Sequence, residues 1–352
     1  MKIATIVGAR PQFVKAAAVS RLLRQRHEEL LIHTGQHYDD NMSAVFFDEL
    51  GIRPPDYDLG VGGGRHGEQT AAMLVGVENI LVDRRPDWVV VYGDTNTTLA
   101  GALAAAKLHL KVAHVEAGLR SFNRLMPEEL NRIVVDHLSD LLLCPSQTAV
   151  DHLGHENIRS GVALVGDVMA DALAFAVERA SDRSPVLDSL GLADGGYLLA
   201  TVHRAENTGE GERLPALLAA FRTIDEPIVF PVHPRTRKAI VAAGLERDAG
   251  QVRMIDPVGY LDMVRLIQGT RMILTDSGGL QKEAYWLGKP CITLRDETEW
   301  VETVAAGWNV VVGADPGRIV RAVRSFSTPK ARPPLYGDGK AAGRVVAALE
   351  SA

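Results

Sequence analysis

Cysteine is almost missing from this chain: there are two, Cys144 and Cys291, in 352 residues. Both lie in apolar stretches, and two thiols are no disulfide framework, so the composition suits a reducing compartment. Neither stands beside a base or at an evident helix start, which reads as structural and not nucleophilic. No run approaches the roughly 18 apolar residues of a membrane span. The N-terminal Met1–Gly8 reads as a strand entering a turn and has no cleavage region, so a cytoplasmic, soluble protein is expected. Excess positive charge is also lacking: the net charge is −6, which removes the electrostatic case for a nucleic-acid or acidic-membrane partner. Metal-ligand spacings such as H-E-x-x-H are absent, which disfavours a metal site, and so is the G-x-S-x-G elbow of a nucleophilic serine.

What is present is a regular alternation. Short apolar runs at Lys2–Val7, Leu30–His33, Trp88–Tyr92, Lys111–Val115, Leu141–Cys144 and Val162–Val165 are separated by stretches with helical spacing, such as Thr97–Leu108 and Glu128–Leu138. The second half repeats the plan with Tyr197–Val202, Ile228–Val232, Val252–Ile255, Arg271–Thr275, Cys291–Leu294 and Asn309–Val312. Alternation of this kind predicts α/β architecture with parallel sheets covered on both faces. A composition change between Val168 and Asp194 divides the chain. The expected organisation is a Rossmann-like domain over 1–167, a second over 168–339, and a terminal helix over 340–352.

Polar residues collect where the predicted strands end: Gly8-Ala9-Arg10-Pro11, Gly93-Asp94-Thr95-Asn96, His114 to Gly118, His203-Arg204-Ala205-Glu206, His233-Pro234-Arg235, and Asp276-Ser277-Gly278-Gly279. In open α/β sheets the carboxyl ends of the strands form the binding rim. The last of these runs leads through two glycines into a helix expected near Leu280. Free N–H groups and a positive dipole end would receive a phosphate there; a tight turn capped by Ser277 is the other reading. Glu283 could reach a ribose hydroxyl pair or sit on a solvated helix face. Arg10 and Lys15, five residues apart on the first helix, could face a diphosphate. Asp94, Glu116 and Glu128 are the acid–base candidates, and with His203 they make proton transfer the leading reaction class. Gly62-Gly63-Gly64-Arg65-His66-Gly67 fits G-x-G-x-x-G by letter, but Asp56–Gly60 before it is no buried strand, so a surface loop is expected instead of a dinucleotide site.

These residues resemble the UDP-N-acetylglucosamine 2-epimerase family of the non-hydrolysing type. The matching runs are Gly8-Ala9-Arg10-Pro11, Thr34-Gly35-Gln36-His37, Gly93-Asp94-Thr95, His114-Val115-Glu116-Ala117-Gly118-Leu119-Arg120, Pro127-Glu128-Glu129-Leu130-Asn131-Arg132, His203-Arg204-Ala205-Glu206-Asn207, Leu274 to Gly279, and Tyr336-Gly337-Asp338-Gly339. They span nearly the whole chain. The resemblance implies two doubly wound domains facing across a cleft, the GT-B arrangement, with the terminal helix packing back on the first domain. It implies that Lys15, Asp94, Glu116, Glu128 and His203 surround the sugar. Arg10, Ser277, Gly278, Gly279 and Glu283 are implied to hold UDP, and the substrate-binding set also takes in Arg132, Arg204 and His233. The implied reaction eliminates UDP to give 2-acetamidoglucal and adds it back after C2 is reprotonated on the other face, without a cofactor. A UDP-sugar is the expected substrate, UDP-N-acetylglucosamine first, and a homodimer the expected assembly.

The chain departs from the family at Gln12, where many members carry Glu, and at Glu299-Trp300-Val301-Glu302, where many have Glu-Arg-Pro-Glu. Near Glu68-Gln69 it lacks an Arg that binds an activating second substrate molecule in some bacterial members. The glycine run, Tyr92 to Asn96 and Glu299-Trp300 resemble the subgroup acting on UDP-2,3-diacetamido-2,3-dideoxyglucuronate, where Arg65 or His66 could meet a sugar carboxylate. That subgroup and a hydrolysing enzyme releasing free N-acetylmannosamine are the alternatives.

Overall fold

The computed structural model describes residues 1–35, 51–209, 211–245 and 251–352; the Gln36-His37 part of one family motif lies outside them. Two compact units result. The first is Met1–Phe175 with Tyr336–Ala352, the second Ala176–Leu335. The divide falls inside a helix, α6 (Val168–Arg183), and just before the Tyr336–Gly339 turn.

In the first unit, seven parallel strands run β1 (Lys2–Val7), β2 (Glu28–His33), β3 (Tyr57–Asp58), β4 (Trp88–Tyr92), β5 (Lys111–Val115), β6 (Leu141–Cys144) and β7 (Val162–Leu164), in the spatial order β3-β2-β1-β4-β5-β6-β7. Every residue of β4 and β6 is buried, as parallel strands covered on both faces must be. The helices are α1 (Arg10–Leu23), α2 (His66–Arg84), α3 (Asn96–Lys107), α4 (Pro127–Leu138) and α5 (Gln147–His155), besides α6. Helix α3 is alanine-rich because it lies hard on the sheet: a Cβ at Gly101 would sit 2.9 Å from Ile6 Cδ1. Sequence reasoning missed β3, a two-residue edge strand paired with β2 that precedes the exposed glycine loop. So short a segment carries no period to read.

The second unit holds α7 (Val186–Leu190), β8 (Leu198–Thr201), α8 (Ala205–Thr208), α9 (Arg213–Thr223), β9 (Ile228–Pro231), α10 (Pro234–Ala242), β10 (Val252–Ile255), α11 (Tyr260–Gly269), β11 (Met272–Thr275), α12 (Gly278–Trp286), β12 (Cys291–Thr293), α13 (Val301–Ala305), β13 (Asn309–Val311) and α14 (Pro316–Ser325). Its six strands, all parallel, are ordered β10-β9-β8-β11-β12-β13. A core of Leu198, Ala200, Phe221, Phe230, Met272, Leu274 and Ile292, all unexposed, joins the sheet to α9 and its neighbours.

Helix α15 (Ala341–Ser351) belongs to the first unit and packs on α1. Asp171 of α6 accepts from Ala341 N and Ala342 N at 3.0 Å each, capping its open N-terminus. At the other end Glu350 pairs with Arg26 and His27.

Each sheet therefore has the doubly wound order, with the winding reversing between β1 and β4 and again between β8 and β11. Loops leaving the carboxyl ends of strands at such a reversal splay apart and open a crevice. This places Gly8–Arg10 beside Gly93-Asp94 in one unit, and His203-Arg204 beside Asp276–Gly279 in the other. Among the described residues no helix is long and apolar enough to cross a membrane. Both cysteines are buried, and burial pushes each thiol up to about 12.

Candidate active site

In the first unit α1 starts at Arg10, with Pro11 in its first turn, where a missing N–H costs nothing. Gln12 then links the two strand ends that flank the reversal. Its Oε1 accepts from Gly8 N and Ala9 N, both at 2.9 Å, and its Nε2 donates to Tyr92 O at 2.8 Å and Thr98 Oγ1 at 3.0 Å. One turn later Lys15 forms an ion pair with Glu116. Gly93 makes room for that pair: its φ is +65°, and a Cβ there would lie 3.2 Å from Lys15 Nζ and 3.4 Å from Glu116 Oε2. Glu116 has φ +75°, an uncommon conformation for a residue with a side chain and one that collects at functional sites.

Asp94 follows Gly93 and is held by α4. Asn131 Nδ2 donates to its carbonyl at 2.9 Å, and Arg132 Nη2 reaches its carboxylate at 2.5 Å. Arg132 Nη1 also bonds Glu129 Oε2 at 3.0 Å. Glu129 is buried and accepts from Ser121 N, Ser121 Oγ and Phe122 N at 2.8 to 2.9 Å. Burial alone would raise its pKa; the bonds from Ser121, Arg132 and Phe122 outweigh that and lower it. Glu128, the residue before it, is exposed in the first turn of α4. Lys15, Asp94, Glu116 and Arg132 are thus gathered at one rim, while Glu128 is not bonded to them. The acidic residue built into the scaffold is Glu129, and one helical step of about 100° is what separates the two.

Arg65 is tied to Glu68 on the surface. His66 is different: Asn96 Nδ2 lies 3.1 Å from its Nδ1, and the same Nδ2 donates to Gln69 Oε1 at 2.8 Å. An amide N–H₂ only donates, so Nδ1 is the acceptor in this contact and Nε2 is left to face outward partners.

In the second unit the corresponding anchor is Asp276, completely buried at the end of β11. It accepts from His203 N at 3.0 Å, Arg204 N at 3.0 Å and Asn207 Nδ2 at 3.1 Å, and its Oδ1 is 3.1 Å from His203 Nδ1. Burial pushes this carboxyl up, but the His203 ring and these donors prevail and hold it below the usual carboxylate range. The His203 ring, 39% exposed, stands 5.9 Å from the exposed His233 ring. His233 caps α10, its Nδ1 accepting from Arg235 N at 3.2 Å.

Helix α12 begins at Gly278 and not near Leu280, because Ser277 is its N-cap and accepts from Leu280 N. Gly278 is crowded on its outer side: a Cβ would meet Trp300 Nε1 at 3.1 Å, Glu299 Oε2 at 3.7 Å and Arg204 Nη2 at 3.9 Å. Gly279 is open. Glu283 is buried, 3.3 Å from Tyr260 Oη, and so is not on a solvated helix face. Arg204, Ser277, Gly278 and Glu283 are thus arranged on and around one helix N-terminus, with free N–H groups suited to an anion. Sequence reasoning missed Arg295, which bonds Glu299 at 2.8 Å and lies 3.3 Å from Glu206; an arginine just beyond the end of β12 was the available signal. It also missed Asp276 as the partner of His203, and Asn131. Among the described residues no group of three His, Cys, Asp or Glu side chains is placed to hold a metal ion.

Comparison with known proteins identifies the family. The family model described as UDP-N-acetylglucosamine 2-epimerase matches residues 21–350. A UDP-N-acetylglucosamine 2-epimerase homolog of Methanococcus maripaludis is 50% identical, covering 100% of both chains. The UDP-2,3-diacetamido-2,3-dideoxy-D-glucuronate 2-epimerase of Pseudomonas aeruginosa is also 50% identical, over 98% of each. Among solved structures, the Methanocaldococcus jannaschii UDP-GlcNAc 2-epimerase in complex with UDP-GlcNAc and UDP superposes with a TM-score of 0.90 at 40% identity, covering 100% of both. Sequence and fold together place this chain in the UDP-N-acetylglucosamine 2-epimerase family, a family of isomerases.

Proposed function

We propose that this protein inverts C2 of UDP-N-acetylglucosamine to give UDP-N-acetylmannosamine. The observation that carries the reading is the placement of two carboxylates, Asp94 and Glu116, on the ends of adjacent strands β4 and β5, each against its own cation, Arg132 and Lys15. Removing a weakly acidic C2 proton needs one positioned carboxylate, and returning a proton on the opposite face needs a second acid. In the first half-reaction the C2–H electrons form the C1=C2 bond of 2-acetamidoglucal, and UDP departs with the C1–O pair. In the second, C2 is protonated on its other face and the diphosphate oxygen attacks C1. The N–H groups of α12 behind Ser277, Gly278 and Gly279, with Arg204 beside them, are assigned to the leaving diphosphate. Glu283 is assigned to the ribose. Arg10, at the N-terminus of α1, is assigned to the diphosphate, and His203, steadied by Asp276, to the sugar side, with His233 as its neighbour. Glu128, exposed at the start of α4, is retained as the third acid–base candidate.

A second substrate has its own support. The 50% identity to the Pseudomonas enzyme and the His66 ring, which offers Nε2–H next to the Asn96–Asn131–Asp94 cluster, favour a sugar bearing a C6 carboxylate. The expected homodimer would use exposed apolar side chains such as Leu130 and Val134, one turn apart on α4, and light scattering checks it.

The experiment is incubation with UDP-N-acetylglucosamine in D2O, followed by NMR. Deuterium at C2 and growth of UDP-N-acetylmannosamine are expected, and both vanish in Asp94→Asn and Glu116→Gln while UDP still binds. Free N-acetylmannosamine with UDP would mean hydrolysis instead. Exchange only with the diacetamido-uronate would select the second substrate. Near-full activity in both variants overturns the proton-transfer assignment.

A further inference from the structure

His114, the penultimate residue of β5, is completely buried, and both of its ring nitrogens are engaged. Nε2 lies 2.7 Å from Gly93 O, and Nδ1 lies 2.7 Å from Asp136 Oδ1. The other oxygen of Asp136 accepts from Gly118 N at 3.1 Å and from Arg120 Nη1 at 2.7 Å. Arg120 in turn grips Glu156 at 2.6 and 2.8 Å. A peptide carbonyl can only accept, so Nε2 carries a hydrogen. Asp136 is held below the usual carboxylate range: burial pushes it up, but His114 and Arg120 more than offset this. Nδ1 and Oδ1, 2.7 Å apart, hold one hydrogen between them. Wherever it sits, the four linked groups His114, Asp136, Arg120 and Glu156 sum to zero charge, as a cluster centred in the interior requires.

We infer that Asp136 is a positioning residue that sets the Asp94 and Glu116 loops together, the first through the ring of His114 and the second through Gly118 N. Gly93 is the residue immediately before Asp94, and its carbonyl is what the ring holds. Gly118 is two residues beyond Glu116, whose left-handed backbone is further fixed by Glu116 N and Ala117 N, both bonded to Leu143 O at 3.0 and 3.2 Å. Helix α4 thus grips Asp94 at three points: Asn131 on its carbonyl, Arg132 on its carboxylate, and Asp136 through His114 on the preceding carbonyl. With neither His114 nor Asp136 exposed, neither can touch a substrate. They act only by fixing where the carboxylates stand, and misplacement of about 1 Å can cost roughly 100-fold in rate.

The inference rests on the epimerase reading for its effect on turnover but not for its effect on His114, so two measurements are paired. Nitrogen-15 NMR of histidine-labelled protein is expected to show a hydrogen on His114 Nε2 and a hydrogen-bonded Nδ1 whose resonance shifts in Asp136→Asn. In the deuterium-exchange assay, Asp136→Asn is expected to lower kcat on the order of 10- to 100-fold, with KM and UDP affinity nearly unchanged per folded molecule. His114→Gln retains a donor near the Nε2 position, whereas His114→Asn places its donor toward Asp136; the Gln variant is expected to keep more of kcat. A His114 Nε2 without a hydrogen in the unmodified protein overturns the inference, as does an Asp136→Asn enzyme with full kcat. Loss of soluble protein or a lowered melting temperature at full kcat per UDP-binding site would make the cluster purely structural and also overturn it. If the unmodified protein exchanges neither UDP-sugar, the function reading falls, and the NMR measurement still decides the protonation and its dependence on Asp136.

Discussion

Lys15 on α1 and Glu116 at the end of β5 form an ion pair whose side chains are only 11% and 10% exposed. The pair joins the first helix of the unit to the rim at the end of β5, and Gly93 leaves space above it. Two charges so little exposed depend on each other, because removing one strands the other away from water.

Lys15→Met should therefore cost about 3 kcal/mol of stability, and Lys15→Met with Glu116→Gln should recover part of it while remaining inactive. Urea melts of the two single variants and the double variant measure this. A double variant as unstable as the sum of the singles would show that the pair carries no coupling.

Gln12 uses its carboxamide as acceptor on one side and donor on the other. Gln12→Glu would set a carboxylate oxygen against Tyr92 O, at a cost of about 1–3 kcal/mol. Once protonated, the introduced carboxyl could donate to that carbonyl, so its folded-state pKa should be raised. A raised carboxyl pKa favours the folded state at low pH and loses that contribution as pH rises. The stability gap to the unmodified protein should thus widen between about pH 4 and 7, and a gap independent of pH would show that no proton is taken up.

Asp136 and Asp276 are both held below the usual carboxylate range in the folded protein, while unfolded aspartate titrates near pH 3.9. Between the depressed folded values and ~3.9 the unfolded chain binds more protons. Their contribution is fully present above the unfolded value and is lost as pH falls through the folded ones. Asp276→Asn should lower stability at neutral pH and flatten its decline on acidification, as followed by urea melts over about pH 3–6. An unchanged acid slope would mean that Asp276 does not titrate across that transition.

Gly278 begins the helix assigned to UDP, and a side chain there meets Trp300 and narrows the approach to the N–H groups. Gly278→Val is expected to weaken UDP binding at least about tenfold, or ~1.4 kcal/mol, per folded molecule. Calorimetric titration with UDP tests this, and unchanged affinity would move the diphosphate away from α12.

Much of this could be read along the chain, since it is written within a few residues. Strands such as Trp88–Tyr92 and Lys111–Val115 are continuous apolar runs, and the strand-end rule then marks Gly93-Asp94 and Glu116 as rim residues. The edge strand Tyr57–Asp58 was not legible, because two residues have no period, and the start of α12 was misplaced because its glycines look like turn.

Length, composition and local pattern thus determine two doubly wound sheets and which loops line their rims, since hydrophobic period and glycine position act over one or two turns of chain. Which charges pair, and which are buried, is decided only by the tertiary fold. Lys15 meets Glu116 across 101 residues and His203 N meets Asp276 across 73. Of two adjacent glutamates, the packing of α4 buries Glu129 and leaves Glu128 in water. The reason is that an ion pair or buried carboxylate draws its energy from neighbours and from excluded solvent, and both exist only once distant strands have been laid side by side.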